Sequence, residues 1–211
     1  MNIMPDNPQL AFWRGEFGDS YVERNGADEE HVQKLQAVWS NVLAHTAPAP
    51  VQSILEVGPN IGLNLRALRR LTDARFHAVE PNDRAREILL RDRVLDAADL
   101  HAGAGAAINL PDGIADLAFT SGVLIHVHPD HLLETCREIH RCTKTWLLSI
   151  EYFADQPESI RYRGHDDVLF KRDFGGFWLD HFPALRVVAY GFLWKRETGL
   201  DSTNWWLFRK S

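Results

Sequence analysis

Short apolar runs alternate with amphipathic stretches over the middle of the chain, from residue 53 to residue 153. The runs SILEVG, RFHAVE, ADLAFTSG and TWLLSIEYF have the length and composition of buried strands. Between them, helical spacing predicts helices at about 62–71, 83–92 and 131–142. This alternation predicts parallel strands joined by right-handed crossovers, and therefore a doubly wound α/β sheet with helices on both faces.

The two ends of the chain have different patterns. An aromatic segment and the amphipathic helix HVQKLQAVWSNVLAHT precede the prolines of APAPVQ, which end that helix. After a polar segment and a short helix at 174–182, LRVVAYGFLW and NWWLFRK flank the polar stretch KRETGLDST. We interpret this pair as a hairpin. Together with a third strand, which is expected just before residue 101, it makes the sheet seven-stranded and mostly parallel, with one antiparallel strand.

The length of 211 residues favours a single domain. Within residues 1–211, we expect an N-terminal helical cover segment at 1–50 and a cofactor-binding core at 51–155. A substrate-side segment with the closing hairpin follows at 156–211. The oligomeric state is open, with a monomer slightly favoured.

Charge and composition narrow the class of function. The net charge of -6 argues against a nucleic-acid binder, which usually presents a basic face. No apolar run approaches the roughly 20 residues of a membrane span, and the start of the chain lacks a signal-peptide pattern. The two cysteines provide no disulfide framework. We therefore expect a cytoplasmic protein whose partner is a small molecule, without nucleic acid or membrane.

The first strand leads directly into the glycine turn EVGPNIG, residues 56–62. Gly58 and Gly62 permit a tight turn and close approach of the backbone to a ligand. A dinucleotide fingerprint would require glycine where Asn60 stands and Gly or Ala where Leu63 stands. The pattern that begins at Glu56, E-x-G-x-x-x-G, instead resembles the S-adenosylmethionine (SAM) motif of class I methyltransferases.

Two more strand ends fit this resemblance. Glu80 closes the second strand beside the glycine turn, where a carboxylate can accept both ribose hydroxyl protons. Ser121 and Gly122 end the fourth strand and leave room beside the methionine chain of the cofactor.

The segment after the third strand departs from the family pattern. The family often has an acidic residue near the adenine amine, but this chain has HAGAGA at 101–106. Either backbone groups around Ala104 take that role, or Asp99 or Asp112 reaches in.

The aromatic residues of the N-terminal segment have two compatible interpretations. They form the apolar face of a cover that packs on the domain, or they also contact the cofactor. In the second case Trp13 or Tyr21 faces the cationic sulfonium, and Arg24 or Asn25 contacts the methionine carboxylate.

Four segments together resemble the pseudaminic acid biosynthesis-associated methylase family: FWRGEFGDSYVERN, ILEVGPNIGLNL, GVLIHVHPD and RYRGHDDVLFKRDFGG. The resemblance extends from about residue 12 to residue 208. It implies a Rossmann-like class I methyltransferase fold and SAM as the cofactor. It also implies an acceptor related to a nonulosonic, pseudaminic-type sugar acid, with O-methylation favoured over N-methylation.

An anionic acceptor of this kind needs cationic or hydrogen-bonding side chains. Guanidinium groups hold a carboxylate or a phosphate by two parallel hydrogen bonds, although arginines that pair with nearby aspartates on the surface would give the same sequence. The candidates are Tyr152, near the end of the fifth strand, and four basic residues beyond it, Arg161, Arg163, Lys171 and Arg172.

A hydroxyl acceptor also has to lose a proton. His165 is the first candidate for the base, and Glu151 and His126 are the alternatives. A metal site is not expected, because HVHPDH spans a proline at a strand-to-helix junction, which separates His126, His128 and His131. Asp130 is instead expected to cap a helix.

Other functions are compatible with parts of the pattern. The acceptor could be another acidic metabolite or a nucleotide-activated sugar. In different classes, the chain could be a nicotinamide-dependent oxidoreductase or epimerase, or a SAM-binding protein without catalytic activity.

Overall fold

The computed structural model describes residues 8–211, so the first seven residues of the expected cover segment lie outside the described residues. Seven strands form the main sheet: β1 (Ser53–Val57), β2 (Arg75–Glu80), β3 (Leu100–Ala102), β4 (Ala115–Ser121), β5 (Thr143–Glu151), β8 (Leu185–Leu193) and β9 (Thr203–Lys210). A separate two-stranded sheet contains β6 (Glu158–Ser159) and β7 (Phe170–Lys171). The helices are α1 (Pro8–Arg14), α2 (Glu16–Arg24), α3 (Glu29–Ala44), α4 (Leu63–Leu68), α5 (Asp83–Arg91), α6 (Pro129–Cys142), α7 (Phe174–His181) and α8 (Lys195–Thr198).

The main sheet has the strand order β3-β2-β1-β4-β5-β9-β8. The first five strands pair in parallel, whereas β9 is antiparallel to both β5 and β8. The predicted seven-stranded Rossmann-like sheet with one reversed strand is therefore confirmed. Because β8 runs in the same direction as β5, the β8–β9 connection lies at the carboxyl edge of the sheet.

Two apolar cores cover the faces of the sheet. On one face, Trp39 of α3 and Leu89 of α5 pack in a cluster with Phe119 and Trp146 of the strands. On the other, residues of α6 and α7, including Trp178, pack with Leu147 and Phe208. Helices α4 and α5 lie on the first face and α6 on the second, because strands are added in opposite directions from β1 and β4 while the crossovers stay right-handed.

Side-chain caps determine where several helices begin. Asp28 accepts a hydrogen bond from the backbone N–H of His31 at the start of α3, and Asn82 accepts one from Ala85 at the start of α5. The expectation that Asp130 caps a helix is wrong. His128 is the cap and Pro129 is the first helical residue, since a proline lacks the N–H that this position leaves unpaired.

Several element boundaries differ from the predicted ones. The helix predicted at 62–71 is shorter, because its last residues form turns that bond back to Ala67 and Leu68. The polar stretch KRETGLDST contains the short helix α8, which Gly199 ends in the left-handed conformation. None of the described helices is both long enough and apolar enough to cross a membrane.

Candidate active site

A cavity of about 440 Å³ lies at the carboxyl edge of the main sheet. Residues that end β1, β2, β4 and β5 form its floor, and α1, α2 and the β8–β9 connection cover it. In an open doubly wound sheet, this edge is where ligands bind, because the loops there diverge on either side of β1 and β4. The predicted site residues can be placed relative to this cavity.

The glycine turn follows β1 and lines the cavity through Gly58 and Asn60. Gly58 has a φ of 71°, and a Cβ built there would lie 2.7 Å from Cγ2 of Val123. Asn60 is also left-handed, with a φ of 51°, which asparagine tolerates better than most residues. Both conformation and packing therefore explain why residue 58 is glycine.

Gly62 has a different role from the one predicted. It caps α4 with a φ of 77°, and an added Cβ would lie 2.6 Å from Leu89 and 2.9 Å from Val94. It is not among the described residues that line the cavity. Gly62 thus serves the packing of α4 against α5, and its link to the cofactor is indirect.

Glu80 ends β2 and lines the cavity, as the sequence predicted for a ribose ligand. Its Oε2 accepts a hydrogen bond of 2.9 Å from the backbone N–H of Asn60, and its Oε1 accepts one of 2.8 Å from Asn82. Burial raises the pKa of Glu80 to about 7, against the effect of these hydrogen bonds. The carboxylate is held rigidly, and each oxygen retains a lone pair for a diol.

Glu56 also lines this cavity, and one oxygen of its carboxylate has no hydrogen-bond partner. Its Oε1 accepts a hydrogen bond of 2.9 Å from Asn64, whereas its buried Oε2 has no hydrogen-bond partner. Burial, and then the nearby charge of Glu80, raise the pKa of Glu56 to about 8. A buried oxygen without a donor fits a ligand that brings one, and the ammonium group of SAM is such a donor.

The loop after β3 contributes Ala104, Gly105 and Ala106 to the cavity. Arg141 of α6 holds the rest of this loop, because its guanidinium donates to the backbone oxygens of Ile108 and Leu110. The two acidic alternatives do not line the cavity. Asp99 pairs with Arg75 and Asp112 with Arg141, which leaves the backbone around Ala104 as the predicted adenine contact.

Helices α1 and α2 cover the cavity, and Trp13 and Tyr21 line it. The amide of Asn82 fastens this cover to the core, with hydrogen bonds of 3.1 Å to the backbone oxygen of Trp13 and 2.8 Å to Asp19. Arg24 does not line the cavity, since its guanidinium lies over the ring of Tyr21 at 5.6 Å. The neighbouring residue, Asn25, lines it instead.

Ser121 and Gly122 line the cavity at the end of β4, and the turn after them is held by Glu151. The Glu151 carboxylate is fully buried and accepts hydrogen bonds from the backbone N–H groups of residues 123–125. Burial raises its pKa to about 7. Glu151 is therefore not positioned to act as a base. Its two oxygens accept hydrogen bonds from the backbone of this turn, and the residue is not in the described lining.

His126 is the base candidate that the structure places in the cavity. Its Nδ1 lies 2.7 Å from the backbone oxygen of Val168. Because a carbonyl oxygen only accepts, Nδ1 carries the proton of the neutral ring and Nε2 keeps the lone pair. Burial lowers the pKa of His126 to about 4, so the ring is neutral at physiological pH.

His165, the first candidate from the sequence, lies in a different environment. Its backbone forms a two-residue bridge with Tyr162, and its ring contacts Phe12 and Phe17 at centroid distances of 4.9 and 5.4 Å. It is exposed and is not among the described residues of the lining. We therefore assign His165 to the contact between the cover and the segment 160–165.

The four predicted basic residues do not converge on the cavity, and none of them is in its described lining. Arg161 pairs with Asp166, as the surface interpretation expected. Arg172 lies over the ring of Phe177. Arg163 and Lys171 contact residues of the lining. Arg163 lies 5.5 Å from the ring centre of Tyr162, and Lys171 lies 5.6 Å from that of Tyr152; both tyrosines line the cavity.

The part of the cavity around Tyr152, which we call the acceptor end, contains residues that the sequence did not indicate. Tyr152 was predicted, but Tyr162 and Asp201 also line this end. The Tyr152 hydroxyl donates a hydrogen bond of 3.1 Å to Asp201. The available signal was topological, because a connection between β8 and β9 has to lie at the carboxyl edge once β8 is parallel to β5.

The described residues contain no group of three His, Cys, Asp or Glu side chains arranged to hold a metal ion. His126, His128 and His131 do not form a common site: His126 bonds the backbone of Val168, and His128 accepts from the backbone of Asp130.

Comparisons with known proteins agree with this geometry. Residues 55–145 match the family model described as a methyltransferase domain. Solved structures with a similar fold include a 1,6-didemethyltoxoflavin N1-methyltransferase from Burkholderia thailandensis with bound S-adenosylhomocysteine, with a TM-score of 0.70 and 16% identity over 100% of this chain and 93% of that chain. A SAM-dependent methyltransferase from Leishmania major has a TM-score of 0.68 and 16% identity over 95% and 81%. Magnesium protoporphyrin IX methyltransferase from Synechocystis PCC 6803 with bound SAM has a TM-score of 0.67 and 11% identity over 100% of both chains.

No curated protein sequence matches the chain significantly. The structural similarities, at these identities, show the fold. The methyltransferase-domain match over residues 55–145 and the seven-stranded sheet identify a class I SAM-dependent methyltransferase, whose cofactor is S-adenosylmethionine. The oxidoreductase and epimerase alternatives are set aside by this match.

Proposed function

We propose that the chain methylates a hydroxyl or an amino group of a small polar molecule bound beside SAM. The observation that carries this proposal is one continuous cavity that joins Glu80 and the glycine turn to His126, Tyr152 and Asp201. When bound, SAM supplies a methyl group on a sulfonium. Its transfer breaks the carbon–sulfur bond, leaves the electron pair on sulfur and forms the bond to the acceptor atom.

The binding of SAM would be divided among the ends of four strands, β1 to β4. Glu80 would accept the ribose hydroxyls, Glu56 Oε2 would accept the ammonium group, and the backbone around Ala104 would contact the adenine. Ser121 and Gly122 leave space beside the methionine chain. Trp13 and Tyr21 of the cover would exclude water from the reacting groups.

His126 is our proposed proton acceptor for a hydroxyl substrate. Its neutral ring has an available Nε2, and the bond to Val168 fixes the ring orientation. The low pKa makes it a weak base, so its contribution is to orient the hydroxyl and receive its proton late in the transfer.

A second candidate acceptor is the anionic sugar acid that the family resemblance implies, or another acidic metabolite or nucleotide sugar. Arg163 and Lys171 favour it, because they lie directly behind the tyrosines that line the acceptor end. The absence of lysine and arginine from the described lining argues against it.

Calorimetric titration with SAM and S-adenosylhomocysteine tests the site directly. We expect micromolar binding by the wild type and at least about tenfold weaker binding by Glu80→Ala, which loses two charge-assisted hydrogen bonds to the ribose. Incubation with SAM and an acceptor panel, followed by mass spectrometry for an added methyl group, then tests catalysis. Binding without turnover on any acceptor would favour a non-catalytic SAM-binding protein, and no binding would remove the proposal.

Several expectations from the sequence stay predictions. These are the division of residues 1–211 into one domain with three segments, the cytoplasmic location, the monomeric state and the absence of nucleic-acid partners.

A further inference from the structure

The acceptor end of the cavity gathers four polar side chains from separate parts of the chain. Tyr21 comes from α2, Tyr152 follows β5, Tyr162 lies in the segment before β7, and Asp201 lies between α8 and β9. Burial raises the pKa of Tyr21 and that of Tyr152, and the charge of Asp201 contributes to both shifts. The four groups therefore act as one electrostatic cluster, which we call the tyrosine cluster.

Of the aspartate, glutamate, lysine and arginine residues, only acidic ones are found in the described lining of this cavity. Its described lining contains three carboxylates, those of Glu56, Glu80 and Asp201, and contains no lysine or arginine. Glu56 and Glu80 lie at the glycine turn, where the cofactor is expected. Asp201 is therefore the carboxylate available to an acceptor.

The nearby cations lie outside the lining. Arg24, Arg163 and Lys171 lie over the rings of Tyr21, Tyr162 and Tyr152, and none of the three cations is in the described lining. Lys195 pairs with Asp201 at 3.1 Å, but the two side chains are 66% and 64% exposed. An ion pair this exposed is weak and screened by salt, so Asp201 remains able to bind a second cation.

We infer, on the basis of the proposed function, that the tyrosine cluster binds an amine-bearing acceptor, with its amino group held by the Asp201 carboxylate. A carboxylate or phosphate at the same place would face Asp201 with no lysine or arginine beside it in the described lining. Asp201 is thus a specificity-determining residue.

Matched sugars test this inference by binding. The probes are glucose, glucosamine, which has an amino group in place of the C2 hydroxyl, and glucuronate, which has a carboxylate at C6. Each is titrated calorimetrically into the complex with S-adenosylhomocysteine at about pH 6.5, below the pKa of an amino group. We expect glucosamine to bind at least about tenfold more tightly than glucuronate, the effect of one charge-assisted hydrogen bond.

Two variants assign the preference to Asp201. Asp201→Asn keeps the size of the side chain and should abolish the preference for glucosamine. Lys195→Ala removes the counter-ion from outside the lining and should keep or increase it. Both positions are exposed on a surface connection, so thermal unfolding of the two variants should match the wild type.

Tighter binding of glucuronate, or a preference that survives Asp201→Asn, would overturn the inference. Lack of measurable binding by all three sugars would count against it as well, because a site for an amino group has to respond to millimolar glucosamine. Binding of S-adenosylhomocysteine is measured in the same samples. If that binding fails, the proposed function fails; if it persists while the order of the sugars is wrong, only this inference fails.

Discussion

Glu56 is a buried acid, and the protein without a bound ligand stabilises its negative charge poorly. Its folded-state pKa of about 8 lies above the ordinary value of 4.5 for a glutamate, so the folded state binds more protons than the unfolded state between these pH values. The contribution of Glu56 to stability is therefore fully present below about pH 4.5 and is lost as the pH rises toward 8. An amide at this position would avoid that loss.

We expect Glu56→Gln to raise the melting temperature above that of the wild type at pH 9, with a difference that shrinks as the pH falls to 5. Each kcal/mol corresponds to roughly 2–4 °C in a chain of this size. Thermal unfolding without ligand, followed by circular dichroism across this pH range, measures the effect. A difference that is the same at pH 5 and pH 9 would show that Glu56 does not titrate in this window.

Gly58 combines a left-handed conformation with a tight contact. Alanine there would place Cβ 2.7 Å from Val123, in the turn that approaches the cofactor. We expect Gly58→Ala to weaken the binding of S-adenosylhomocysteine by at least about tenfold, because the turn has to shift to accommodate the methyl group. A loss of about 1.4 kcal/mol in binding free energy corresponds to this tenfold change. Calorimetric titration provides the measurement.

Gly113 is the matched control. It has a similar φ of 61°, but its added Cβ would meet only Lys144, at 3.8 Å. Gly113→Ala should therefore lower stability through backbone strain and leave the affinity for the cofactor product unchanged. Equal effects of the two substitutions on affinity would mean that strain, and not the approach of residue 58 to the ligand, determines binding.

At the scale of elements, the cover formed by α1 and α2 depends on few polar contacts. The Asn82 amide holds it through the backbone of Trp13 and the carboxylate of Asp19. Gly18 permits this close packing, because a Cβ there would lie 1.8 Å from the backbone oxygen of Trp13. Asp19 is not among the described residues that line the cavity, so its substitution tests the cover alone.

We expect Asp19→Ala to increase the dissociation rate of S-adenosylhomocysteine about fivefold, the equivalent of about 1 kcal/mol for one lost hydrogen bond. Stopped-flow displacement measures this rate. Glu23→Ala is the control, since Glu23 joins the same helix to Arg84 through an exposed ion pair that contributes little. An unchanged rate in Asp19→Ala would mean that the cover does not limit release.

Local sequence patterns predict the cofactor end of the site better than the acceptor end. Glu56, Gly58 and Glu80 belong to strand ends and a turn, which periodicity and glycine spacing locate within a few residues. Asp201 and Tyr162 belong to connections whose position depends on how distant strands pair. His165 was misplaced for the same reason, because its aromatic partners Phe12 and Phe17 come from the opposite end of the chain.

Across the whole molecule, the sheet collects three buried acids at its carboxyl edge. Glu56, Glu80 and Glu151 end β1, β2 and β5, and burial raises the pKa of each into the range of about 7 to 8. Parallel strands bring their ends to the same edge, so this concentration of acids follows from the topology. Two of the three, Glu56 and Glu80, line the cavity and would interact with SAM.

We expect these two acids to couple the binding of SAM to the release of protons. Near pH 7, Glu56 is mostly protonated and Glu80 about half protonated, whereas the ammonium and hydroxyl groups of SAM favour both carboxylates in the ionised form. Binding at pH 7 should therefore release roughly one proton, and the affinity should rise with pH up to about 8. Calorimetric titration in buffers of different ionisation enthalpy counts the protons. Glu80→Gln should reduce the number of protons released. Glu151→Gln should leave that number unchanged, because Glu151 is buried but lies outside the described lining. Proton uptake on binding, or a loss of proton release in Glu151→Gln, would contradict the assignment of this coupling to Glu56 and Glu80.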